Sequence, residues 1–436
     1  MGRNASLAIF TRRIGFLAVA AALLSAAPAH ATDPAETGLL TAYADFDLAA
    51  ANGPRAWLDE KNGSGGTGKA RFGNADGNGL RARPYFTEAG LVLQPDFGWS
   101  LRGLLSVVAQ RGQDKAVDVS EAYLRWRPLP LGTVRMNVRA GIFYPPVSLE
   151  HGGAEWPVVE TVTPSAINSW IGEEVKVGGV EANFSTMIGE HRLAFAAAAF
   201  ELNDTAGTLL TFRGWALHDE KATLFSLQPL PLMNAFMRDG MQALRTRPTI
   251  DLDHHIGWYA KLTWAPPGPF QIQYFHYDNR GDPEALDAGL QWGWRTRFNH
   301  LGATLDLDDR TRLTAQAIDG TTIMGLLGAD GRRWIDMRYR SAFLLGTRQL
   351  SKGSVSGRIE AFSTRNHGSR VLSDDDETGW AATAAARWPL MRHATLLAEA
   401  LHIDSRRNAR LREGLDPHQN QNVLRLTLRL RAATAG

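Results

Sequence analysis

The sequence predicts an all-β protein, a transmembrane antiparallel up-and-down β-barrel of about sixteen strands with an inward-folded third loop. Three observations point there: strict alternation of apolar and polar residues, tryptophan pairs bracketing short apolar faces, and short turns interleaved with long polar connections.

The amino terminus sets the compartment. Arg3, Arg12 and Arg13 precede an apolar run from Ile14 to Leu24, followed by Pro28, Ala29, His30 and Ala31. This is the pattern of a signal peptide over residues 1–31, cleaved after Ala31, with the outer-membrane barrel occupying 32–436. The run is shorter than the roughly 20 residues a spanning helix needs. Among later apolar runs the longest, Leu193 to Phe200, has eight residues, so spanning helices are not expected.

Composition removes several functions. The chain has 47 basic and 45 acidic residues, and loss of the three leader arginines leaves 44 against 45, a balance that argues against nucleic acid as a partner. Cysteine is absent, which excludes disulfides, thiolate metal sites and a cysteine nucleophile. A closed barrel supplies rigidity without crosslinks, because its backbone groups pair all the way round.

Alternation is clearest in the last segment, where Leu424, Leu426, Leu428 and Leu430 oppose Arg425, Thr427, Arg429 and Arg431. Val134, Met136, Val138, Ala140 and Ile142 oppose Arg135, Asn137, Arg139 and Gly141 in the same way, and Ala122, Leu124 and Trp126 oppose Glu121, Tyr123, Arg125 and Arg127. Trp258 and Trp264 bracket Ala260 and Leu262, and Trp380 and Trp388 bracket Ala382, Ala384 and Ala386. Membrane interfaces select such brackets, since an indole is apolar in body and polar at its N–H.

Short turns are expected around Pro95-Asp96, Pro128 to Gly132, Ile188-Gly189, Pro266 to Pro269, Asp308 to Arg310, Ser351 to Gly353 and Pro389 to Arg392. Between them lie Ala49 to Gly79, Arg111 to Ala116, Pro145 to Gly172, Asn203 to His255, Arg280 to Trp292, Gly325 to Arg333, Asn366 to Thr378 and Asp404 to Gln421. Seven turns and eight loops give about sixteen strands with both ends on the periplasmic side, and a barrel of that size encloses water. The first loop, rich in Gly and Asn from Asn52 to Asn78, is expected to be mobile. The fourth, with Trp215, Leu224 to Leu232 and Phe236, is apolar enough to fold inward or hold a short helix.

The third loop carries the most specific signal. Gly141, Phe143, Pro145, Pro146, Leu149 and Glu150 resemble the family of anion- and phosphate-selective porins, in which a strand ending in Gly, an aromatic and a Pro pair leads into the pore loop. The resemblance implies a trimer of sixteen-stranded barrels, each narrowed by its third loop. One departure stands out: Pro145 to Gly172 has neither Lys nor Arg, and offers Glu150, Glu155 and Glu160 beside Trp156 and Trp170. Phosphate specificity is therefore not carried over.

Alternation places Arg102, Arg125, Arg127, Arg135, Arg139, Arg338, Arg340, Arg358, Arg425 and Arg429 on polar faces, as a basic lumen wall. Facing an acidic loop, this wall would set up a transverse field for polar solutes. The competing role is bracing, through Glu121, Glu360, Asp306 and Glu399.

No cofactor is expected. His254 and His255 beside Asp251 and Asp253 read as a solvated loop, because adjacent strand histidines point to opposite faces. The run Asp374 to Glu377 reads as an exposed acidic tip, with a divalent cation bridging lipopolysaccharide phosphates as the alternative. Gly65 to Lys69 lacks phosphate-loop spacing. The expectation is thus an outer-membrane porin, not an enzyme, with membrane lipid, lipopolysaccharide and small polar solutes as partners. The alternatives are an enzyme on the same barrel and an exported carbohydrate-binding β-protein. No serine or histidine stands in a recognisable catalytic motif, and the last strand lacks a terminal aromatic, running on into Ala432 to Gly436.

Overall fold

A computed structural model describes residues 39–74, 79–369 and 375–434. The leader over 1–31 lies outside these residues, as does Asp374. Among the described residues eighteen strands form, and sixteen of them close into one antiparallel barrel. The barrel strands are β1 (Leu40–Ala51), β2 (Arg81–Leu93), β3 (Leu101–Gln110), β4 (Asp118–Trp126), β5 (Arg135–Phe143), β6 (Val177–Ile188) and β7 (His191–Glu201). After two short strands inside the fourth loop, β8 (Gln228–Pro229) and β9 (Arg245–Thr246), follow β10 (Gly257–Ala265), β11 (Phe270–Asp278), β12 (Arg295–Asp308) and β13 (Thr311–Leu327). The wall ends with β14 (Arg333–Gln349), β15 (Ser354–Asn366), β16 (Glu377–Met391), β17 (Ala394–Arg407) and β18 (His418–Ala433).

Every strand pairs with its sequence neighbour round the wall, and β1 closes on β18 with Thr41 opposite Ala433. Closure leaves no strand edge, which a wall in lipid requires because hydrocarbon offers backbone groups no partner. Seven connections at one end of the barrel alternate with eight at the other. The longest are the first loop, 52–80, the third, 144–176, and the fourth, 202–256. Both described ends lie on the short-turn side, as the alternation of connections requires.

The outward face is apolar over a continuous band. Leu105, Leu124, Phe195, Leu262, Leu301, Leu344, Ile359, Leu424 and Leu426 all stand exposed, too much apolar surface for water to bound. Trp258, Trp264, Trp380 and Trp388 are about two-fifths to one-half exposed on that face, at the ends of their strands' apolar stretches.

The interior departs from a simple water-filled tube. The third loop folds inward, and so do the first and fourth. Trp170, Trp215, Leu217 and Phe72, all from loops, pack with Tyr259, Tyr277, Phe298 and Tyr339 of the wall. A second cluster joins Trp57 and Leu58 of the first loop to Leu209, Phe212 and Phe236 of the fourth and to Trp294, Met324 and Met337. The expectation of a mobile first loop is therefore corrected over 52–74. Its glycines serve close approach: a Cβ at Gly66 would collide with the carbonyls of Arg55 and Ala56. The fourth loop folds inward and also holds two short helices, Ala206–Arg213 and Ala235–Arg238.

Candidate functional site

The third loop crosses the lumen on hydrogen bonds first to strands near its origin and then to strands on the far wall. Lys261 of β10 donates to the Pro146 carbonyl at 2.8 Å, and Gln273 of β11 donates to that of Val147 at 2.7 Å. Farther along, Glu399 of β17 accepts the N–H groups of Val162 and Thr163 at 2.7 and 2.9 Å, and Glu360 of β15 accepts that of Ala166 at 2.6 Å. Ala166–Ile171 then forms one helical turn, capped by the Ser165 side chain, which accepts from the Asn168 N–H. Trp170, on this turn, is buried edge-on against Trp215 and Tyr339.

Ion pairs clamp the loop. Arg358, with a fully buried side chain, meets Glu150 at 2.8 Å and Glu360 at 2.9 Å, and donates to the Thr163 and Pro164 carbonyls. Glu150 also accepts from Ser165 and Asn168. Arg425 bridges Asp47 and Asp219 at 2.7 and 2.8 Å, and Arg429 holds Asp45 at 2.8 Å while donating to the Val158 carbonyl. Arg139 forks onto Glu181 at 2.8 and 3.0 Å and lies over the Phe143 ring. Buried pairs of this kind are costly to break singly, at about 3–5 kcal/mol.

The remaining expected residues are spread along the barrel. Arg102 pairs with Asp96 near the short-turn mouth, Arg125 donates to the Tyr123 hydroxyl at 2.9 Å, Arg135 is exposed at the start of β5, and Arg127 is exposed in the turn 127–134. Arg338 and Arg340 correct the expectation: they share the outward face of β14 with exposed Leu344, while Met337, Tyr339 and Phe343 point inward. Glu155 pairs with Arg431, Glu160 approaches Ser354 at 3.4 Å, and Trp156 is stacked between Tyr144 and His151. Trp156 holds φ at +55°, a left-handed value that its stacking and a 2.7 Å bond from Nε1 to the Gly172 carbonyl stabilise.

Between the third loop and the seam of β1, β2 and β18 lies a cavity of about 50 Å³, lined among others by Tyr43, Glu155, Trp156, Glu173, Arg429 and Arg431. Among the described residues Glu173 Oε2 is buried without a hydrogen-bond partner. Asp45 and Asp47 alternate with Ala44, Phe46 and Leu48, so the period of two already marks them as inward. Asp219 and Lys221 gave no such signal, since they arrive from the fourth loop. Burial pushes Glu220 up to about 8, and it pushes Lys176 down to about 7 despite Glu121 nearby.

The acidic run after Asp374 is a further correction. Asp375 and Glu377 are fully buried, held by Arg407 and by Lys69 of the glycine-rich stretch. His254 and His255 are largely exposed beside Asp251 and Asp253. Asp204, Asp251 and Asp253 bring carboxylate oxygens within 4.8 Å of one another, and they accept the N–H groups of Leu252, His254 and His255. Burial pushes Asp204 up to about 7.

One more arrangement bears on chemistry. Ser148 Oγ lies 2.8 Å from His151 Nδ1, and His151 Nε2 lies 2.9 Å from Glu173. Ser148 Oγ also accepts the N–H groups of Glu150 and His151, as a turn-capping hydroxyl does.

The fold and its crossing loop define a porin-type β-barrel. Among solved structures, the chain is similar to the outer membrane channel DcaP of Acinetobacter baumannii, at TM-score 0.54 and 11% identity over 93% of this chain and 100% of that one. It is also similar to a loop-deletion form of OmpT, an outer membrane protein of Vibrio cholerae, at TM-score 0.50 and 8% identity over 91% and 100%. At these identities the likeness is one of fold. No protein-family model matches the sequence, and no curated protein does.

Proposed function

We propose that the chain is an outer-membrane porin, a passive channel for small polar or charged solutes. The observation that carries this reading is the third loop clamped across a sixteen-stranded barrel, leaving a cavity lined by charges of both signs. The leader pattern over 1–31 and the apolar outer band support export to the outer membrane. Arg102, Arg125, Arg135, Arg139, Arg425 and Arg429 would form the basic side of the passage, with Arg139 and Arg425 also bracing it. Opposite stand Glu155 and Glu173 of the third loop. Phosphate specificity stays outside the proposal, because the third loop between Pro145 and Gly172 carries no cation.

Loops packed inside the barrel make the passage narrow, so the unit conductance is small. Purified, folded protein added to a planar lipid bilayer should give stepwise currents, and complete absence of steps across voltages would overturn the reading.

A hydrolase is the second reading, favoured by the Ser148–His151–Glu173 contacts. Its weakness is access, because the His151 and Glu173 side chains are at most 1% exposed. The Ser148 oxygen is moreover engaged by two backbone N–H groups.

A further inference from the structure

Arg338 and Arg340 belong to a larger basic surface on the outside of the barrel. Register across the strands places Arg297, Thr321, Arg338 and Arg365 in one row over β12, β13, β14 and β15, all on outward positions. The next row toward the short turns is Asn299, Asp319, Arg340 and Ser363. Below that comes an apolar row of Leu301, Ala317, Ala342 and Ala361, which meets Trp380 on β16. The two polar rows therefore sit directly on the long-loop side of the apolar band, at the level where a bilayer changes from acyl chain to headgroup.

Four arginines share these two rows with one carboxylate, Asp319, and three further acids border them: Asp278 opposite Arg297 and paired with Arg295, Asp336 two positions above Arg338, and Asp376, which accepts the Asn366 N–H beside Arg365. Asp319 accepts from Arg338 at 3.0 Å and from Arg340 at 2.6 Å, and all three side chains are about half exposed. Arg297 and Arg365 make no ion pair among the described residues. Within the two rows alone arginine exceeds carboxylate by three, and Arg297 and Arg365, left to bind an anion from outside the protein, distinguish the patch. At the usual spacing of neighbouring strands it is roughly 14 Å wide, enough for two phosphates. Guanidinium suits phosphate because its planar fork donates two parallel hydrogen bonds and its charge is permanent. Thr321, Asn299 and Ser363 add neutral polar groups beside it.

We infer that this surface is a docking site for a lipid of the surrounding leaflet whose headgroup carries more than one phosphate. The phosphates sit on Arg297, Arg338, Arg340 and Arg365, and the acyl chains lie down the leucine and alanine row beneath. The inference rests on the outer-membrane reading for the leaflet involved. It does not depend on conduction.

The test uses the full mature chain, folded in a non-ionic detergent, with native mass spectrometry against diphosphorylated lipid A and its dephosphorylated counterpart. The triple variant Arg297→Gln, Arg338→Gln, Arg340→Gln should lose retention of the diphosphorylated lipid by on the order of tenfold or more, since each interfacial arginine attracts an anionic headgroup. Arg348→Gln is the control, because Arg348 is outward and exposed on the same strand but at its short-turn end. It should bind as the wild type does. Heat-modifiable migration confirms that each variant is folded, and bilayer conductance is read in parallel. Equal retention of the dephosphorylated lipid, undiminished retention by the triple variant, or an equal loss in Arg348→Gln would each overturn the inference. Loss of lipid with normal channels in the triple variant supports it. Absence of channels from a wild type that still binds the diphosphorylated lipid strikes the porin reading and leaves the lipid site standing.

Discussion

Arg358 of the wall and Glu150 of the third loop form an ion pair at 2.8 Å in which neither side chain is more than 1% exposed. A wall cation thus fixes the loop that crosses the lumen. Replacing Arg358 with Met leaves Glu150 and Glu360 buried without their cation, a loss of about 3–5 kcal/mol for a broken buried pair. The expected outcome is a lowered temperature for the heat-modifiable gel shift, together with noisier and larger single-channel currents as the loop loosens. A variant with wild-type thermal shift and wild-type noise refutes the clamp.

Glu155 and Arg431 meet at the edge of the lumen cavity, and the Arg431 side chain is 39% exposed. Changing Glu155 to Gln removes the acid and frees the guanidinium to face the passage. Reversal potentials in a potassium chloride gradient should move toward chloride, by roughly a factor of two in permeability ratio for one screened charge. Arg431→Gln should move them the other way. Identical reversal potentials in both variants would remove these residues from the passage.

Asp204 provides a pH dependence with a defined sign. Burial raises its carboxyl from 3.8 to about 7, with Asp251 and Asp253 adding to the effect. A raised acid stabilises the folded loop fully below pH 3.8, and that contribution is lost as pH rises to about 7. Limited proteolysis within 250–256 should therefore be slower at pH 5 than at pH 8. Asp204→Asn keeps an acceptor for the Leu252 N–H and should be slow at both; an unchanged pH dependence in that variant dismisses Asp204 as the cause.

Ser148 serves the turn, and its chemistry follows from that. A fluorophosphonate probe should leave it unlabelled in folded protein, and Ser148→Ala should conduct with altered loop noise only. Stoichiometric labelling that disappears in Ser148→Ala would establish the hydrolase reading instead.

Most of the wall was legible because a period of two is imposed by the pleat itself, and the Leu424 to Leu430 row illustrates it. The same rule failed at Arg338 and Arg340. Alternation says which residues share a face, but polarity decides which face is inward only where the lumen is wet and the outside is lipid. Along the upper part of β14 the first condition fails, because Tyr339 meets the loop aromatics Trp170 and Trp215 inside while Arg338 and Arg340 face outward. The pairs Asp375–Arg407 and Glu377–Lys69 were hidden for a related reason, since their burial is created by loops distant in sequence. Of the site, Glu150, Glu155 and the arginines facing them could be read from composition and alternation. The partners from the fourth loop, Asp219 and Lys221, could not, because no local pattern says that a loop will fold back into its own barrel.

The seam between β1 and β18 has a consequence for the order of folding. Arg425 reaches back 206 positions to Asp219, and Arg429 reaches back 271 to Val158, so the fourth and third loops receive part of their anchorage from the strand that closes the barrel. An incomplete chain lacking that strand has neither a sealed wall nor the full set of charges that seat its contents. Sealing the cylinder and locking its interior are therefore one late, cooperative event, and a truncation in the final strand should abolish both together.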